Sequence, residues 1–351
     1  MPIQKQKNFQ IDTRLYQEEN VYKHNFLNDS IALFSHQVSG HMNTYAFSDG
    51  DDSNVEDKAN GSYYWSDFIR NSKHYYIFSE EVELIQNKAV SLASLLPYNP
   101  DIIDLGPGSR TAVRNKTFPV LEALKTFSSY YSVDISERFA NNACEVVKQH
   151  FNPKKGNYFT HDFLREKMPF QSGLKNPVMV LFGGLLANTP LNIGLLKPAN
   201  TLEGYFEQLR QNFDNTSYLV ITQDTNDEIK KLTAAYTHPS LTSYILSLLY
   251  RMKNELPMKN FHPENFDFKP LWEPQKSLLS LNAVSLKQQR FQLGHKQFTV
   301  EKDEVFPLVN CFKFKMQDFI GYAESAGWAH VDSLIYKNSD IVMHVFKSHG
   351  S

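Results

Sequence analysis

Short apolar runs alternate with amphipathic segments through the middle of the chain, from about residue 101 to residue 222. Polar or glycine-containing turns flank each run, which is typical of buried strands. The runs that we predict as strands are DIIDL (101–105), YYSVDI (130–135), YFTHDF (158–163), PVMVLFGG (177–184) and SYLVIT (217–222). The segments that precede, separate or follow them and have helical spacing are 79–96, 111–127, 136–151 and 201–213. This order predicts an α/β fold with right-handed crossovers and a mainly parallel sheet.

The flanking regions do not follow this alternation. Residues 1–60 are polar and weakly periodic, and we interpret them as an N-terminal extension that ends in an acidic, exposed loop at 48–61. From residue 226 to residue 302, one helical stretch and several strand-like stretches indicate an inserted subdomain. We therefore predict that 61–225 and 303–351 together form the α/β domain, which a further helix and a β-hairpin complete.

Composition and charge exclude several classes of protein. Hydrophobic residues make up 41% of the 351 residues, and 36 basic residues face 38 acidic ones, so we expect a sizeable core and no nucleic-acid partner. No apolar run is long enough to cross a membrane, and the polar N-terminus lacks the apolar segment of a signal peptide. The chain has two cysteines, and its histidines lack metal-ligand spacing, so we expect a cytoplasmic protein without a metal site.

The turn after the first predicted strand, DLGPGSR, carries the strongest chemical signal. Gly106 and Gly108 allow a tight turn, and they let a ligand approach the main chain closely. Asp104 precedes them and supplies an acid. A dinucleotide fingerprint would need a third glycine, where this chain has Thr111. The turn therefore predicts a cofactor site but not a nicotinamide or flavin dinucleotide.

Acidic and aromatic residues follow the next two predicted strands. Asp134 ends the second strand, where a carboxylate can accept hydrogen bonds from the hydroxyl pair of a ribose. Asp162 and Phe163 follow the third strand and suit the amino group and ring face of an adenine. A phosphate-binding P-loop is absent, which argues against ATP. The cluster of Asp104, Gly106, Gly108 and Asp134 instead suits S-adenosylmethionine, whose zwitterionic amino-acid end needs an acid and backbone groups, so this is the expected cofactor. The alternative is that these residues are ordinary turn glycines and loop acids.

Several longer segments resemble one family, the histidine-specific Nα-methyltransferases of ergothioneine biosynthesis. The resemblance covers roughly residues 62 to 345, and its segments are DLGPGSR, YYSVDIS, HDF, VLFGGLLANTP, ITQDTNDEIKKLTAAY and PENFDFKPLWEPQKSLLSLNAVSL. It implies a Rossmann-like class I methyltransferase domain, with helices on both faces of its sheet, and a smaller substrate-binding subdomain. It also implies that S-adenosylmethionine is held by Gly106, Gly108, Asp134, Asp162 and Phe163.

The same resemblance assigns residues to the acceptor. Asn188 matches the asparagine that binds the amino-acid end of the substrate, and Gly183 falls in the same segment. Tyr75 matches the first tyrosine of the family's tyrosine pair, and Tyr236 matches the tyrosine that follows the aspartate-containing strand. Tyr75 belongs to an aromatic cluster between residues 63 and 78, which either packs against a helix or stabilises methylammonium states by cation–π contact. The implied role of these polar groups is to hold an α-carboxylate and orient an amine.

The side-chain end of the pocket departs from the family. The histidine enzymes carry a T-E-x-S-x-K-F pattern, and alignment on Lys313 places Val309 at the glutamate and Cys311 at the serine. A family methionine falls on Leu281. An imidazole would lose its hydrogen-bond partners here, and the loss of designed hydrogen bonds can shift discrimination by about 10⁴ to 10⁵.

We therefore expect an S-adenosylmethionine-dependent N-methyltransferase that acts on the α-amino group of an amino acid or related small amine. The expected acceptor has an apolar or aromatic side chain. Two alternatives remain open at this point. One is L-histidine Nα-methylation despite the substitutions, and the other is a non-catalytic protein that binds the cofactor.

Overall fold

The computed structural model describes residues 13–46, 57–169, 173–188, 191–192, 201–213 and 216–348. At its centre lies a sheet of seven strands. Numbered in chain order, these are β2 (Asp101–Leu105), β3 (Ser129–Asp134), β4 (Lys155–Thr160), β5 (Pro177–Leu181), β7 (Ser217–Asp224), β14 (Ala329–Ile335) and β15 (Ile341–Ser348).

The sheet has the order β14-β15-β7-β5-β2-β3-β4. β2 lies between β3 and β5, and all neighbours from β4 to β7 pair in parallel. The hairpin β14–β15 closes the sheet with antiparallel pairing to β7. The predicted mainly parallel sheet is therefore confirmed. From β2 the chain adds β3 and β4 on one side and then β5 and β7 on the other. The carboxyl ends of β2 and β5 therefore border the crevice where ligands bind in such sheets.

Helices cover both faces of this sheet because its strands are apolar on both sides. Ile102 packs against the helices on one face of the sheet, and its neighbour Ile103 packs against those on the other face, because successive side chains of a strand alternate between faces. The first layer contains α3 (Tyr76–Leu95), α4 (Arg110–Ala112), α5 (Phe118–Leu124) and α6 (Glu137–Phe151). The second contains α7 (Leu202–Arg210) and α10 (Met316–Ser325). Between α4 and α5 the helix continues as a π-helical stretch, Val113–Thr117.

A second set of elements lies beyond the carboxyl edge of the parallel strands. Its helices are α1 (Thr13–Phe34), α2 (Gly61–Asn71), α8 (Ile229–Ala235) and α9 (Pro239–Glu255). One antiparallel sheet joins β9 (Phe266–Glu273), β10 (Leu278–Ser285) and β13 (Val305–Phe312), and another joins β8 (Met258–Lys259), β11 (Gln289–Leu293) and β12 (Lys296–Val300). Short strands β1 (Val38–Ser39) and β6 (Leu191–Asn192) also pair.

The structure differs from the sequence-based prediction in two places. Within residues 13–46, which we predicted as part of a polar extension, α1 is a helix of 22 residues that buries Phe26, Leu33 and Phe34. β13 lies in the range predicted for the α/β domain, yet it pairs with β10 and not with the parallel sheet. Most of the predicted acidic loop lies outside the described residues, and the domain boundaries stay a prediction.

Candidate active site

A cavity of about 860 Å³ lies between the carboxyl edge of the parallel strands and the antiparallel sheet that contains β13. Its size fits a small-molecule site. Every predicted site residue except Asp104 lines it. These residues are Tyr75, Gly106, Gly108, Asp134, Asp162, Phe163, Gly183, Asn188, Tyr236, Leu281, Val309 and Cys311.

At one end of the cavity, a glycine turn connects β2 to α4. Gly106 and Gly108 have φ values of +61° and +68°, which belong to the left-handed region that favours glycine. A Cβ atom built on Gly106 would lie 3.6 Å from Leu185 and 4.0 Å from Phe163, inside the space that the turn leaves open. Ser109 then caps α4 by accepting a hydrogen bond from the backbone of Ala112. The turn thus forms an open cradle beside a helix start.

Two carboxylates border the same end. Asp134, at the end of β3, accepts a hydrogen bond of 3.0 Å from the Ser136 backbone. Asp162 follows β4 and accepts a hydrogen bond of 3.2 Å from the Leu164 backbone. Burial raises the pKa of Asp162, and the Arg165 guanidinium 3.6 Å away opposes that increase. The structure therefore brings these carboxylates beside the glycine turn, as the spacing along the sequence predicts.

Asp104 does not reach the cavity. Its side chain is 2% exposed and points into the layer between the sheet and the helices. There its Oδ2 atom accepts hydrogen bonds from Thr117 at 2.7 Å and from Tyr130 at 2.8 Å. The predicted cofactor contact of Asp104 is therefore wrong, and the carboxylate instead ties β2 to the π-helical stretch.

These residues fit the expected cofactor, S-adenosylmethionine. The turn has no side chain that would fill the cradle, and its carboxylates suit the hydroxyl and amino groups of an adenosine rather than a phosphate. The buried ring of Phe163 supplies a flat apolar surface next to Asp162. We refer to Gly106, Gly108, Asp134, Asp162 and Phe163 as the cofactor end.

A Glu–Lys pair lies between this end and the rest of the cavity. Glu81 of α3 is 2% exposed, and its carboxylate receives Lys116 Nζ at 3.0 Å and the Gly183 backbone N–H at 2.6 Å. Thr222 also donates to Glu81. Gly183, predicted to bind the substrate, therefore has its backbone N–H occupied by Glu81. Glu81, Lys116 and Gly183 all line the cavity, so the pair adds two charged groups to its lining.

The opposite end of the cavity is formed by phenols, an amide and apolar side chains. The rings of Tyr75 and Tyr236 pack edge to face, with 5.9 Å between their centroids. Asn188 Oδ1 accepts a hydrogen bond of 3.6 Å from the Cys311 thiol. Burial raises the pKa of Tyr75 and Tyr236, so both remain neutral phenols. Burial likewise raises the pKa of Cys311, so it remains a thiol and not a nucleophilic thiolate.

The apolar wall of this end comes from β10 and β13. Leu281 pairs directly with Val309 across the two strands, so their side chains share one face. Cys311 follows two positions later, and alternation along the strand brings it to the same face. Leu281 and Val309 are 3% and 2% exposed. The acceptor end, defined as Tyr75, Asn188, Tyr236, Leu281, Val309 and Cys311, is therefore apolar where the family resemblance predicts the side chain of the substrate.

A buried ion pair supports the acceptor end. Lys313, which directly follows β13, places Nζ 2.5 Å from Asp224 Oδ2 and 3.2 Å from the Tyr236 hydroxyl. Tyr76 donates to the same aspartate oxygen at 2.7 Å. Burial lowers the pKa of Lys313, but the Asp224 carboxylate, together with Tyr76 and Cys311, raises it by more, so the net shift is upward. The ammonium therefore keeps its charge and orients the Tyr236 phenol.

Sequence reasoning missed several of these groups. Glu81 lies near the start of the predicted helical segment 79–96, and Lys313 serves only as the residue on which the family pattern is aligned. Lys313 carried a usable signal, because a charged residue inside an otherwise apolar segment indicates a buried partner, whereas Glu81 stands beside Glu80 and Glu83 and carried none. His41 also lines the cavity, but it belongs to a weakly periodic segment that offered no comparable signal.

The aromatic cluster is divided between the core and the cavity lining, and its cation–π role stays a prediction. Trp65 and Tyr75 line the cavity, and Trp65 also packs against Tyr244 with 5.1 Å between ring centroids. Phe68 is fully buried behind Tyr75, at 4.6 Å between centroids. Part of the cluster is thus core, and part of it forms an aromatic wall of the acceptor end.

Two kinds of feature are absent from the described ranges. No three His, Cys, Asp or Glu side chains among those residues come together where they could hold a metal ion. In the same part of the chain, no helix combines the length and hydropathy that crossing a bilayer requires.

Known proteins provide an independent comparison. A family model for histidine-specific, S-adenosylmethionine-dependent methyltransferases matches residues 41–348. No curated protein sequence matches the chain. Among solved structures, the CcbJ methyltransferase from Streptomyces caelestis is similar at 12% identity and a TM-score of 0.38, over 75% of this chain and 90% of that one.

Two other solved structures show the same level of similarity. The sugar N-methyltransferase KedS8 from Streptoalloteichus has 11% identity and a TM-score of 0.39, over 78% of this chain and 88% of that one. NodS from Bradyrhizobium japonicum, an N-methyltransferase in complex with S-adenosyl-L-homocysteine, has 8% identity and a TM-score of 0.36, over 78% of this chain and 98% of that one. Similarity this low says nothing about the acceptor.

Proposed function

Because the chain belongs to the family of histidine-specific, S-adenosylmethionine-dependent methyltransferases, we propose that it methylates the α-amino group of an amino acid or related small amine whose side chain is apolar or aromatic. The family match makes the chain a methyltransferase that uses S-adenosylmethionine. The identity of the acceptor is the proposed part.

The observation that carries this proposal is the apolar wall of the acceptor end. Leu281, Val309 and Cys311 line the cavity where the resemblance expects a methionine, a glutamate and a serine. A histidine side chain placed there would lose hydrogen-bond partners, at a cost of about 1 to 3 kcal/mol for each buried group left unpaired. An apolar or aromatic side chain would gain contact with the same wall.

The polar groups of the acceptor end suit the amino-acid backbone of such a substrate. The Asn188 side-chain N–H₂ can donate to a carboxylate while its oxygen is held by Cys311. Tyr75 and Tyr236 are neutral phenols, so they hydrogen-bond and orient an amine and do not remove its proton as phenolates. The aromatic faces of Trp65 and Tyr75 can stabilise a methylated ammonium by cation–π contact.

Methyl transfer from a sulfonium is an in-line displacement that requires little acid–base chemistry from the protein. When bound, S-adenosylmethionine supplies the activated methyl group. The chain contributes by orienting the amine lone pair through the two phenols and by excluding water with the apolar wall. The acceptor ammonium must lose a proton before it attacks, and water is the base that these neutral phenols leave available.

A transfer assay tests the proposal. The protein is incubated with methyl-labelled S-adenosylmethionine and, separately, with each standard amino acid and common biogenic amines. We expect transfer to one or more amines with apolar or aromatic side chains. Preferred transfer to histidine would refute the specificity. Tight cofactor binding with no transfer to any amine would instead indicate a non-catalytic cofactor-binding protein.

We also propose a cytoplasmic location and a small-molecule partner. The two cysteines, Cys144 and Cys311, are both free thiols, which is typical of a reducing compartment. The cavity has the size of a small-molecule site. Fractionation of cells that produce the full chain would test the location.

A further inference from the structure

His41 lies beside the apolar wall of the acceptor end, although it comes from the opposite end of the chain. The Gly40 backbone N–H donates to Pro307 at 2.8 Å, and His41 forms an antiparallel bridge with Val309. Bridged residues point their side chains to the same face, so the imidazole lies next to Val309. Both residues line the cavity.

Gly40 fixes this arrangement. Its φ of +72° is left-handed, and a Cβ atom at this position would lie 2.0 Å from the Asn310 side chain. The segment can therefore dock against β13 only with glycine at position 40. This fixes the position of the following residue, His41, opposite Val309 of β13.

The hydrogen bonds of His41 determine which of its ring nitrogens is protonated. Nε2 lies 3.0 Å from the backbone oxygen of Asp29, which can only accept, so Nε2 carries the proton. Burial lowers the pKa of His41, and the neighbouring Asp29 only partly opposes it. The ring is therefore neutral, with a lone pair on Nδ1.

That lone pair has no partner among the described residues. His41 is 7% exposed, and a buried polar atom without a partner is costly, so protein interiors rarely contain one. Arg165 also influences the ring electrostatically, but its ion pairs are with Asp29 and Asp162. His41 Nδ1 is thus a hydrogen-bond acceptor without a partner in the described part of the chain, beside the apolar side chains of Leu281 and Val309.

We propose that His41 Nδ1 accepts a hydrogen bond from the side chain of the methyl acceptor, and that this acceptor is an aromatic amino acid or amine with a ring N–H or phenolic O–H. This inference rests on the proposed function. Trp65, Tyr75 and Tyr244 provide the aromatic surroundings for such a ring. A histidine side chain fits less well, because its second ring nitrogen would face Leu281 and Val309 without a partner.

Pairs of methyl acceptors that differ mainly in one hydrogen-bond donor test the role of that donor group. Tyrosine is compared with phenylalanine, and tryptophan with naphthylalanine, in transfer assays under kcat/KM conditions. We expect the donor-bearing member of at least one pair to be preferred by about tenfold to a hundredfold, the usual cost of an unpaired buried group. The His41→Phe variant should lose that preference and should still methylate the methyl acceptor that lacks a hydrogen-bond donor, such as phenylalanine.

Two further variants separate a specific role from a structural one. His41→Asn keeps an acceptor atom close to the position of Nδ1, so it should recover part of the preference. His36→Phe is the matched control, since His36 is a partly exposed histidine on the same segment that pairs with Glu304. Calorimetric binding of S-adenosylhomocysteine should be unchanged in all three variants, which verifies folding.

A spectroscopic readout does not depend on turnover. In ¹⁵N-histidine NMR, the Nδ1 resonance of His41 should shift when a donor-bearing acceptor joins the S-adenosylhomocysteine complex. Transfer without any donor preference, or a preference that His41→Phe retains, would overturn this inference and leave the proposed function intact. An absence of transfer to every amine would instead refute the proposed function itself.

Discussion

The two ends of the cavity are built in different ways. The cofactor end comes from the carboxyl ends of three neighbouring strands, within residues 105–163. The acceptor end combines side chains that are far apart in the sequence: Tyr75 precedes α3, Asn188 follows β5, Tyr236 follows α8, and the other three lie on β10 and β13. Trp65 of α2, Tyr244 of α9 and His41 line the cavity beside it. The first end is therefore a product of local strand–turn–helix geometry. The second depends on tertiary packing, so single substitutions on β13 can change its chemistry without altering the cofactor cradle.

Their electrostatics also differ. At the cofactor end, carboxylates are held by backbone N–H groups and partly reach the cavity. At the acceptor end, the charged groups Asp224 and Lys313 neutralise each other behind a wall of phenols and apolar side chains. The comparison predicts that damage to one end should leave the function of the other end largely intact.

The largest effect should come from breaking the buried ion pair. In Lys313→Met, Asp224 would remain buried without its counter-ion, which typically costs about 3 to 5 kcal/mol. Chemical denaturation of the variant and the parent measures this loss. The double variant Lys313→Met/Asp224→Asn should recover much of it, since no charge is left unpaired. Equal stability of the single variant and the parent would contradict a buried pair.

Acid should weaken the sheet that supports both ends. His344 is fully buried, and burial lowers its pKa to about 3. Between pH 6.5 and 3, the unfolded chain therefore binds a proton that the folded chain does not, so stability falls as the pH falls. The slope approaches about 1.4 kcal/mol per pH unit once the unfolded histidine is fully protonated, so the loss from pH 6.5 to 4.5 is about 2 kcal/mol.

Denaturation at several pH values tests this dependence. His344→Gln can keep a hydrogen bond to Gln223, which pairs with His344 at 2.8 Å, but it has no titrating group. Its stability should depend less steeply on pH over this range. An unchanged slope would assign the acid sensitivity to other groups.

A crossed pair of variants tests the independence of the two ends. Asn188→Ala should weaken acceptor binding by about tenfold, because one charge-assisted hydrogen bond is lost, with little change in cofactor affinity. Asp134→Asn should weaken cofactor binding by a similar factor and leave the acceptor KM nearly unchanged at saturating cofactor. Calorimetry with S-adenosylhomocysteine and initial-rate kinetics measure the two quantities. A simultaneous fall of both in Asn188→Ala would refute its assignment.

The smallest effect should appear where α1 approaches the cofactor end. Arg165 lies 3.6 Å from Asp162 and 3.7 Å from Asp29 of α1, and all three side chains are partly exposed. Such pairs contribute about 0.5 to 1 kcal/mol, so Asp29→Asn should weaken cofactor binding about two- to fivefold. The difference from the parent should shrink at high salt, because the interaction is screened.

The sequence predicts the cofactor end well because its signals are local. Glycines that directly follow a predicted strand, and acidic residues at the ends of predicted strands, can be recognised from their distance along the chain to those strands. Asp104 shows the limit of that reading. Its position suited a ligand, but alternation along β2 puts it on the same face as Ile102, under the helices, where Thr117 and Tyr130 hold it.

The acceptor end could be predicted only through the family resemblance. No local pattern connects Leu281 with Val309, because their pairing depends on the register of β10 and β13. α1 escaped prediction because its buried residues, such as Phe26 and Leu33, form a narrow stripe in a mostly polar segment. The contact of His41 with the cavity follows from the docking of that segment, which spacing alone does not reveal.

The glycine at position 40 has a practical consequence for engineering. Because Gly40 lets this stretch of main chain dock against β13 in a single way, the cavity-lining positions that follow it, His41, Asn43 and Thr44, can be varied together, while the buried Met42 and Tyr45 are retained. A library at these three positions that also retains Gly40 would test how this side of the cavity selects the methyl acceptor. The methyl-donor machinery, which lies elsewhere in the chain, would not need to be redesigned.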